Sequence, residues 1–289
     1  RPLMNTVELE TFLAVAKLSS VSAAANKLHL TQPAVSKRIQ SLEQTLGTRL
    51  FDRSGKQLHL TEAGKVFGVQ AEQVLSLWAD TERKLHSLTE EVAGSLAIAT
   101  SHHIGLHRLA PVLQKFIERY PQVHLNLTFE DSEIAHSRVR HGEVELAVAT
   151  LDPKGASDLE IHPIWDDPLV FVNHAGGAPS LLELASQPCV LPGTGTYTGR
   201  IVLERFAKAG IRLEPTMSTN YLETLSMLVS VGLGWSVLPL SMAGELEVLA
   251  VPEEPMHRTL GALVNPHRTM SNASKAFLDV LESYREPGI

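Results

Sequence analysis

The amino-acid sequence predicts an α/β protein made of a small helical head, one long helix and a larger region in which strands and helices alternate. Two observations carry this prediction. Apolar residues recur at helical spacing through most of the first 93 residues, and short apolar runs alternate with amphipathic helices after Gly94. The chain has 289 residues, of which 44% are hydrophobic. That length suits two or three domains of about 100–150 residues each.

Three short helices are predicted in the head. Helical periodicity covers residues 5–18, and Ser22 can cap a second helix over residues 23–28. Thr31 can cap a third helix, which ends at Gly47. A brief turn separates the last two helices, so this segment has the pattern of a helix-turn-helix.

Two short extended pieces, residues 49–52 and 57–60, follow and predict a small hairpin, the wing. We assign the resulting winged helix-turn-helix to residues 4–61. The first 60 residues carry eight basic and four acidic side chains, whereas the whole chain has a net charge of −7. A basic head on an acidic body indicates that this end meets a polyanion.

A long helix is predicted after Thr61, and we assign this linker to residues 62–93. Its apolar positions lie four and three residues apart, close to the heptad spacing of a coiled coil. They are Phe67, Ala71, Val74, Trp78, Thr81, Leu85, Leu88 and Val92. The seam favours pairing with the same helix of a second copy, and packing against its own domain is the alternative.

The third helix has an apolar stripe and an opposite face of short polar and basic groups. Such a face can reach base edges or phosphates, and the helix N-terminus suits a phosphate. A generic surface helix would show the same periodicity, so the pattern alone leaves both interpretations open. The candidate DNA-binding residues here are Thr31, Gln32, Pro33, Ser36, Lys37, Arg38 and Gln40.

This part of the chain resembles the N-terminal domain of LysR-type transcriptional regulators. Residues 24–36 match AA-x-x-L-x-x-[ST]-Q-[PS]-A-[VL]-S, residues 39–53 match I-x-x-LE-x-x-LG-x-x-LF-x-R, and residues 60–64 match LT-x-AG. The resemblance implies that Gln32 and Pro33 dock in the major groove of double-stranded DNA.

The resemblance also implies that Ser36 and Lys37 lie beside these two residues, and that Arg53 and Lys56 contact phosphates from the wing. Arg49 either assists them or belongs to a structural ion pair.

The region after Gly94 has a βαβαβ order. Strands are predicted at residues 96–100, 123–129 and 146–149, with a helix between each pair. This order predicts a parallel, doubly wound sheet. A second set of the same kind starts at residues 169–173 and continues to a strand at residues 235–238.

The family resemblance extends more loosely over this region and implies two α/β lobes like those of periplasmic solute-binding proteins. In this family the chain crosses to the second lobe near residue 163 and returns near residue 265. We therefore assign residues 94–289 to an effector-binding domain. Lobe one comprises residues 94–163 and 265–289, and lobe two comprises residues 164–264.

In open α/β sheets a ligand lies at the carboxyl ends of the strands, where free backbone N–H groups at helix N-termini favour an anion. Hydroxyl groups recur at these junctions, although capping alone would also explain them. By resemblance, the effector pocket of lobe one contains Thr100, Ser101, His102, Ser132 and Thr150. Facing them from lobe two are Thr194, Thr196, Tyr197 and Asn220.

The His102-His103 pair suggests either a clamp for an anionic ligand or a metal site with His107. Since no carboxylate or cysteine lies at ligand spacing, we predict no metal and no cofactor. The only cysteine, Cys189, argues against a thiol peroxide sensor, which usually needs two. The glycines around residue 233 precede a strand and have no third partner, so they do not form a dinucleotide-binding loop.

Taken together, the sequence predicts a regulator of transcription modulated by a small anionic effector, and not an enzyme. The resemblance implies a homodimer or homotetramer that also meets RNA polymerase. No apolar run has the length of a membrane span, and the chain does not open with the pattern of a signal peptide. We therefore expect a cytoplasmic protein. A transport-type solute-binding protein, the main rival, would not carry residues 5–60.

Overall fold

The computed structural model describes residues 5–54, 57–86, 88, 91–252 and 254–288. The chain divides into two compact units, Arg1–Leu85 and His86–Ile289. Among the described residues, none of the helices combines the length and the apolar character needed to cross a membrane.

The described residues of unit 1 form four helices and a two-stranded hairpin. They are α1 (Thr6–Leu18), α2 (Val21–Lys27), α3 (Gln32–Leu46), β1 (Phe51–Ser54), β2 (Gln57–Leu60) and α4 (Glu62–His86). Helix α2 begins one residue after Ser20, whose Oγ accepts a hydrogen bond from the backbone N–H of Ala23. The predicted cap Ser22 lies inside the helix instead, because two serines stand at this junction and local spacing does not choose between them.

Caps and a left-handed turn shape the helix-turn-helix. Thr31 caps α3 by accepting from the backbone N–H of Ala34 at 3.4 Å, and Gly47 ends the helix with a φ of 69°. His29 occupies the turn before α3 with a φ of 54°, a region that residues other than glycine seldom adopt. The turn thus fixes the angle at which α3 leaves α2.

Aromatic rings hold the head together. The ring of Phe12 lies 5.1 Å from that of Phe51 on the wing and 4.9 Å from that of Phe67 on α4. Val35 and Leu42 on α3 are fully buried beside them. The apolar stripe predicted for α3 therefore faces this core, and its polar face is left for solvent.

Three residues of the family motifs secure the wing. Glu43 on α3 accepts hydrogen bonds from the backbone N–H groups of Leu50 (2.7 Å) and Phe51 (3.1 Å). Thr61 donates to the carbonyl of Arg49 and accepts from the N–H of Gly64. A Cβ at Gly64 would lie 2.1 Å from the carbonyl oxygen of Leu50, so only glycine fits here.

Helix α4 has 25 residues, fewer than the linker predicted from the sequence, and Leu88 and Val92 lie outside it. Its first half packs on the head through Phe67 and Ala71. In the second half the seam is exposed at Val74, Trp78 and Leu85. The first half of the seam therefore packs against its own domain. The exposed second half is available for pairing with the same helix of a second copy.

Unit 2 is a mixed α/β structure with one long, continuous sheet. Its strands are β3 (Gly94–Thr100), β4 (Val123–Phe129), β5 (Leu146–Thr150), β6 (Glu160–Asn173), β7 (Val190–Leu191), β8 (Met217–Ser218), β9 (Ser236–Pro239), β10 (Glu247–Val248) and β11 (Met256–Val264). Its helices are α5 (His102–His107), α6 (Leu109–Arg119), α7 (Ser132–His141), α8 (Leu181–Ala185), α9 (Tyr197–Lys208), α10 (Leu222–Ser230) and α11 (Asn272–Glu282), with a 3₁₀ turn at Leu240–Met242.

The order of strands in the seven-stranded sheet is β10-β6-β11-β5-β3-β4, and β9 also pairs with β6. Strand β3 runs parallel to β4 and β5, as the βαβαβ pattern predicts. The second predicted parallel set is only partly found, because β7 pairs parallel with β8, whereas β9, β10 and β11 all pair antiparallel with β6. Alternation of strands and helices does not record strand direction, and here β6 and β11 cross the domain in opposite directions.

Each lobe has its own apolar core. Trp165 and Leu260 pack into the lobe-one core with Phe116 and Phe277, the latter on α11. In lobe two, Leu169 and Met256 pack into the core around Trp235 and Phe206. The chain therefore crosses between the lobes at residues 166–168 and 257–259. The expected positions were near 163 and 265, and the shift arises because β6 and β11 run unbroken through both lobes.

Candidate functional site

The polar face of α3 is the candidate nucleic-acid interface of unit 1. Gln32, Pro33, Lys37 and Gln40 are exposed on it, and Ser36 is half-buried. Thr31 is exposed at the helix N-terminus. Arg38 is half-buried and donates from Nη1 to the Thr11 hydroxyl at 3.4 Å, so it is partly engaged with α1. Lys56 and the side chain of Arg53 lie outside what the structure describes.

A small cavity of about 60 Å³ lies between the two lobes of unit 2. One water molecule needs about 10–15 Å³ of such space, so the cavity has room for a ligand of a few heavy atoms. Its lining comes from the carboxyl ends of lobe-one strands, from the starts of α9 and α10, and from β11. The lining residues are Ser101, His102, His103, Glu130, Asp131, Ser132, Glu133, Thr150, Pro192, Thr196, Tyr197, Thr198, Asn220, Tyr221, Leu222, Glu223 and Arg258.

Seven of the nine effector residues predicted from the sequence line this cavity. They are Ser101, His102, Ser132, Thr150, Thr196, Tyr197 and Asn220. Thr100 is fully buried, and its hydroxyl donates to the carbonyl of Val148 at 2.8 Å. Its side chain is therefore directed toward the neighbouring strand of the sheet. Thr194 is exposed on the loop before α9. Among the residues described, neither belongs to the lining.

Helix N-termini converge on the cavity as the βα connections require. Ser101 caps α5 by accepting from the N–H of Ile104 at 3.4 Å, and Thr196 caps α9 by accepting from the N–H of Gly199 at 3.0 Å. Ser132 begins α7 and accepts from the N–H of Thr150 at 3.1 Å. These hydroxyls are therefore structural as well as accessible from the cavity. His102 lies at the rim, stacked against Phe129.

Hydrogen bonds join the lobes across the cavity. The side-chain amide of Asn220 donates to Asp131 at 2.6 Å, and the backbone N–H of Tyr197, at the start of α9, donates to Glu133. The α9 N-terminus, which the sequence suggests for an anionic ligand, thus already holds a carboxylate from lobe one. Burial raises the pKa of Glu133, so this carboxylate is held at some cost in solvation.

His136 forms a further bridge. Its Nε2 lies 2.9 Å from the carbonyl oxygen of Thr150, which can only accept, so Nε2 carries the proton. Its Nδ1 then accepts from the hydroxyl of Tyr197 at 3.2 Å. Burial lowers the pKa of His136, which keeps the ring in this neutral form, and burial raises the pKa of Tyr197 to about 12.

One residue of the cavity lining belongs to a buried ion pair. Arg258, on β11, donates from Nε to Asp167 at 2.7 Å and from Nη1 to the hydroxyl of Thr198 at 2.9 Å. Its Nη2 is buried and has no hydrogen-bond partner within the described part of the chain. The guanidinium of this cavity-lining residue therefore carries an unused donor, with only 6% of the residue exposed.

His103 lies beside this pair. Among the described residues neither of its ring nitrogens has a hydrogen-bond partner, and Nε2 is 3.8 Å from Asp167 Oδ2. Burial, followed by the positive charge of Arg258, lowers the pKa of His103 to about 4. The imidazole is therefore neutral near pH 7.

Sequence reasoning missed Arg258 and His136 as parts of the site, and it named His103 only as one half of the His102-His103 pair. One signal was available for Arg258. It lies two residues after Met256 and two before Leu260, so strand alternation puts its side chain on the same buried side as both. A charged residue at an inward position of a strand is rarely buried without a partner, which marks it as a candidate.

Cys189 has the features of a structural thiol. It is buried directly before β7, and burial raises its pKa. A redox sensor needs an accessible thiolate, which this environment disfavours.

Comparison with known proteins agrees with both units. Residues 7–65 match the family described as "Bacterial regulatory helix-turn-helix protein, lysR family", and residues 89–285 match "LysR substrate binding domain". The chain belongs to the LysR family. It is thus a DNA-binding transcriptional regulator with an effector-binding domain, and the two-lobed fold expected for that domain is confirmed.

One relative and one solved structure cover nearly the whole chain, and a second relative covers a part of it. A "Probable RuBisCO transcriptional regulator" of Cyanidioschyzon merolae is 30% identical over 287 residues, which cover 93% of this chain and 95% of the relative. An uncharacterized HTH-type regulator of Azotobacter vinelandii is 55% identical over 108 residues, 37% of this chain and 75% of its own. CbnR complexed with its target DNA superposes with a TM-score of 0.67 at 21% identity, covering 97% of this chain and 100% of that one. At that identity the superposition shows a shared fold.

Proposed function

We propose that this LysR family regulator responds to a small carboxylate bound in the cavity between its lobes. The observation that carries the proposal is the unpartnered Nη2 of Arg258. A buried donor without a partner costs about 1–3 kcal/mol, and more when it is charged. An anionic group in the cavity would accept from this donor and remove the cost.

The other charged groups of the lining are mostly carboxylates. They favour hydrogen-bond donors on the part of the ligand that is away from its own carboxylate. Four carboxylates face the cavity, and each already has a partner. Glu130 pairs with Arg138, Asp131 with Asn220, Glu133 with the backbone of Tyr197, and Glu223 with His107. A second carboxylate on the ligand would be repelled here. The arrangement therefore suits a compact hydroxy acid or amino acid.

Such a ligand would change the balance between lobe arrangements. Its hydroxyl or ammonium group would compete for Asp131 and Glu133, which now join the lobes directly. A ligand shifts this equilibrium only by the difference between its affinities for the two arrangements. In this proposal, the new balance alters the spacing of the DNA-binding domains and hence transcription.

The same proposal assigns partners to unit 1. The exposed face of α3 reads a pseudo-palindromic site on double-stranded DNA, and the exposed seam of α4 pairs with a second copy in a homodimer or homotetramer. CbnR, which shares the fold, has been solved with its target DNA, and this supports the DNA partner. We further propose that the regulator contacts RNA polymerase, acts in the cytoplasm and is not an enzyme.

The effector proposal predicts a thermal-shift result that depends on ligand charge. We expect some short hydroxy or amino acids to raise the melting temperature of the full chain, whereas their amides do not. Binding to the folded state at 100 times the Kd adds about 2.7 kcal/mol of stability. An amide that shifts the melting temperature as much as its acid would overturn the anionic assignment.

A pair of serine variants controls for capping in the same assay. Ser101→Ala and Ser180→Ala each remove a helix N-cap that accepts from one backbone N–H, at a cost of about 1 kcal/mol. Only Ser101 lines the cavity, so only Ser101→Ala should abolish the shift caused by the acid. Equal ligand responses in both variants would remove Ser101 from the site.

The DNA proposal predicts different losses for two substitutions in the head. Against a site selected from random DNA, Gln32→Ala should lose about 1–3 kcal/mol of discrimination between specific and random sequences. Arg53→Ala should weaken binding to every sequence and reduce the salt slope by about 1. Gln73→Ala, on the exposed surface of α4, is the control. Equal losses on both kinds of DNA for Gln32→Ala would exclude its base-reading role.

A further inference from the structure

Two histidines of lobe one and a glutamate of lobe two meet beside the cavity. His103 and His107 lie one turn apart on α5, and Glu223 lies in the first turn of α10. One potential ligand atom of each lies within 4.8 Å of the other two. His107 Nε2 is 3.2 Å from Glu223 Oε1, and the two imidazole rings have centroids 4.9 Å apart. Because Glu223 is 116 residues from His107, the sequence could not reveal this carboxylate.

The environment of His103 is unexplained without a ligand. The residue is 5% exposed, and in the described part of the chain both ring nitrogens lack a hydrogen-bond partner. A buried polar group in this state calls for an explanation, and an unseen ion is one of the usual ones.

We propose that His103, His107 and Glu223 bind a divalent transition-metal ion that ties lobe one to lobe two. Two imidazoles and one carboxylate are a ligand set typical of Zn²⁺ sites that keep a fourth position open. Bonds of about 2.0–2.1 Å in a tetrahedral site separate ligand atoms by about 3.3 Å, so the cluster must contract by about 1.5 Å at most. The side chains of His107 and Glu223 are 43% and 41% exposed, so they can rotate to do this.

Groups around the cluster fit the ion as well. His103 Nε2 lies 3.8 Å from Asp167, and a small rotation of the ring would make this a hydrogen bond. Carboxylates orient many metal-binding histidines in this way. The positive charge of Arg258 is offset by its pairing with Asp167.

The two lobes each supply ligands, so the ion would act on the arrangement of the lobes. Helix α5 follows β3 in lobe one, whereas α10 packs on the strands of lobe two. An ion bound by both helices favours the arrangement in which they are close. This inference goes beyond the proposed carboxylate effector and does not depend on it.

The test is a metal titration of the tag-free full chain after chelation, without any organic ligand. We expect binding of Zn²⁺ and Co²⁺ by calorimetry, a visible absorption band for Co²⁺, and no binding of Mg²⁺, which prefers oxygen ligands. His107→Gln and Glu223→Gln should each weaken Zn²⁺ binding by at least about tenfold. His124→Gln, which removes an exposed histidine on β4, should leave it unchanged.

Two outcomes would overturn the proposal. One is the absence of Zn²⁺ binding up to about 1 mM, a Kd that corresponds to only −4.1 kcal/mol. The other is an equal loss in His124→Gln, which would indicate scattered surface binding. Bridging is tested separately, because Zn²⁺ should raise the melting temperature of the natural chain and not that of Glu223→Gln. If short acids still raise the melting temperature of His107→Gln, the metal site is distinct from the carboxylate site.

Discussion

Replacing Arg258 with alanine is expected to lower the free energy of unfolding of unit 2 by about 3–5 kcal/mol, because it leaves the carboxylate of Asp167 buried without its main partner. Arg108 remains 3.4 Å from Asp167 and is more exposed, so the loss should fall toward the lower end of this range. The measurement is urea unfolding followed by tryptophan fluorescence in a Trp78→Phe background, where Trp165 and Trp235 report on unit 2 alone.

Two further variants distinguish a buried pair from any arginine pair. Arg212 and Glu214 are 2.9 Å apart but 89% and 71% exposed, so Arg212→Ala should change stability by no more than about 1 kcal/mol. Adding Asp167→Asn to Arg258→Ala removes the uncompensated charge and should recover part of the loss. If the double variant loses more free energy of unfolding than the two single variants lose together, the Arg258–Asp167 pair is not the source of the effect.

Gly64→Ala is expected to destabilise unit 1 by about 1–3 kcal/mol, as an overpacked core does. The new Cβ would lie 2.1 Å from the carbonyl oxygen of Leu50, which is backbone and cannot rotate away. The wing would have to move from the start of α4, and the Thr61 hydrogen bonds to Gly64 and Arg49 would be disturbed. Hydrogen exchange of peptides from α1 and α3 measures the loss, because core protection reports unfolding of this unit.

Gly68→Ala is the matched control on the same helix. Its Cβ would meet only the ring of Phe12, at 3.7 Å, which is ordinary contact. Alanine also restricts the unfolded chain, so this variant should be neutral or more stable by about 0.4–1 kcal/mol. Similar loss of protection in both variants would show that helix α4, and not the contact with Leu50, controls the result.

Much of this protein is determined by local patterns in the sequence. Helical spacing and caps predict α4 and the helices of the head, and two short extended pieces predict the wing. The strand–helix alternation predicts β3, β4 and β5. The family resemblance, applied at the βα junctions, identifies most of the cavity, including Ser101, Ser132 and Thr196. The helices and strands depend on neighbours in the chain, so periodicity and composition suffice to find them.

Other features exist only once distant segments meet. Arg258 and Asp167 are 91 residues apart, and His107 and Glu223 are 116 residues apart. The charge and metal-binding capacity of the cavity depend on these pairs, and no local spacing records them. The antiparallel strands on β6 have the same origin, since strand direction follows from how the chain returns across both lobes. The sequence by itself therefore determined the elements and most of the polar groups around the cavity, and the tertiary structure decided which of those groups are buried together.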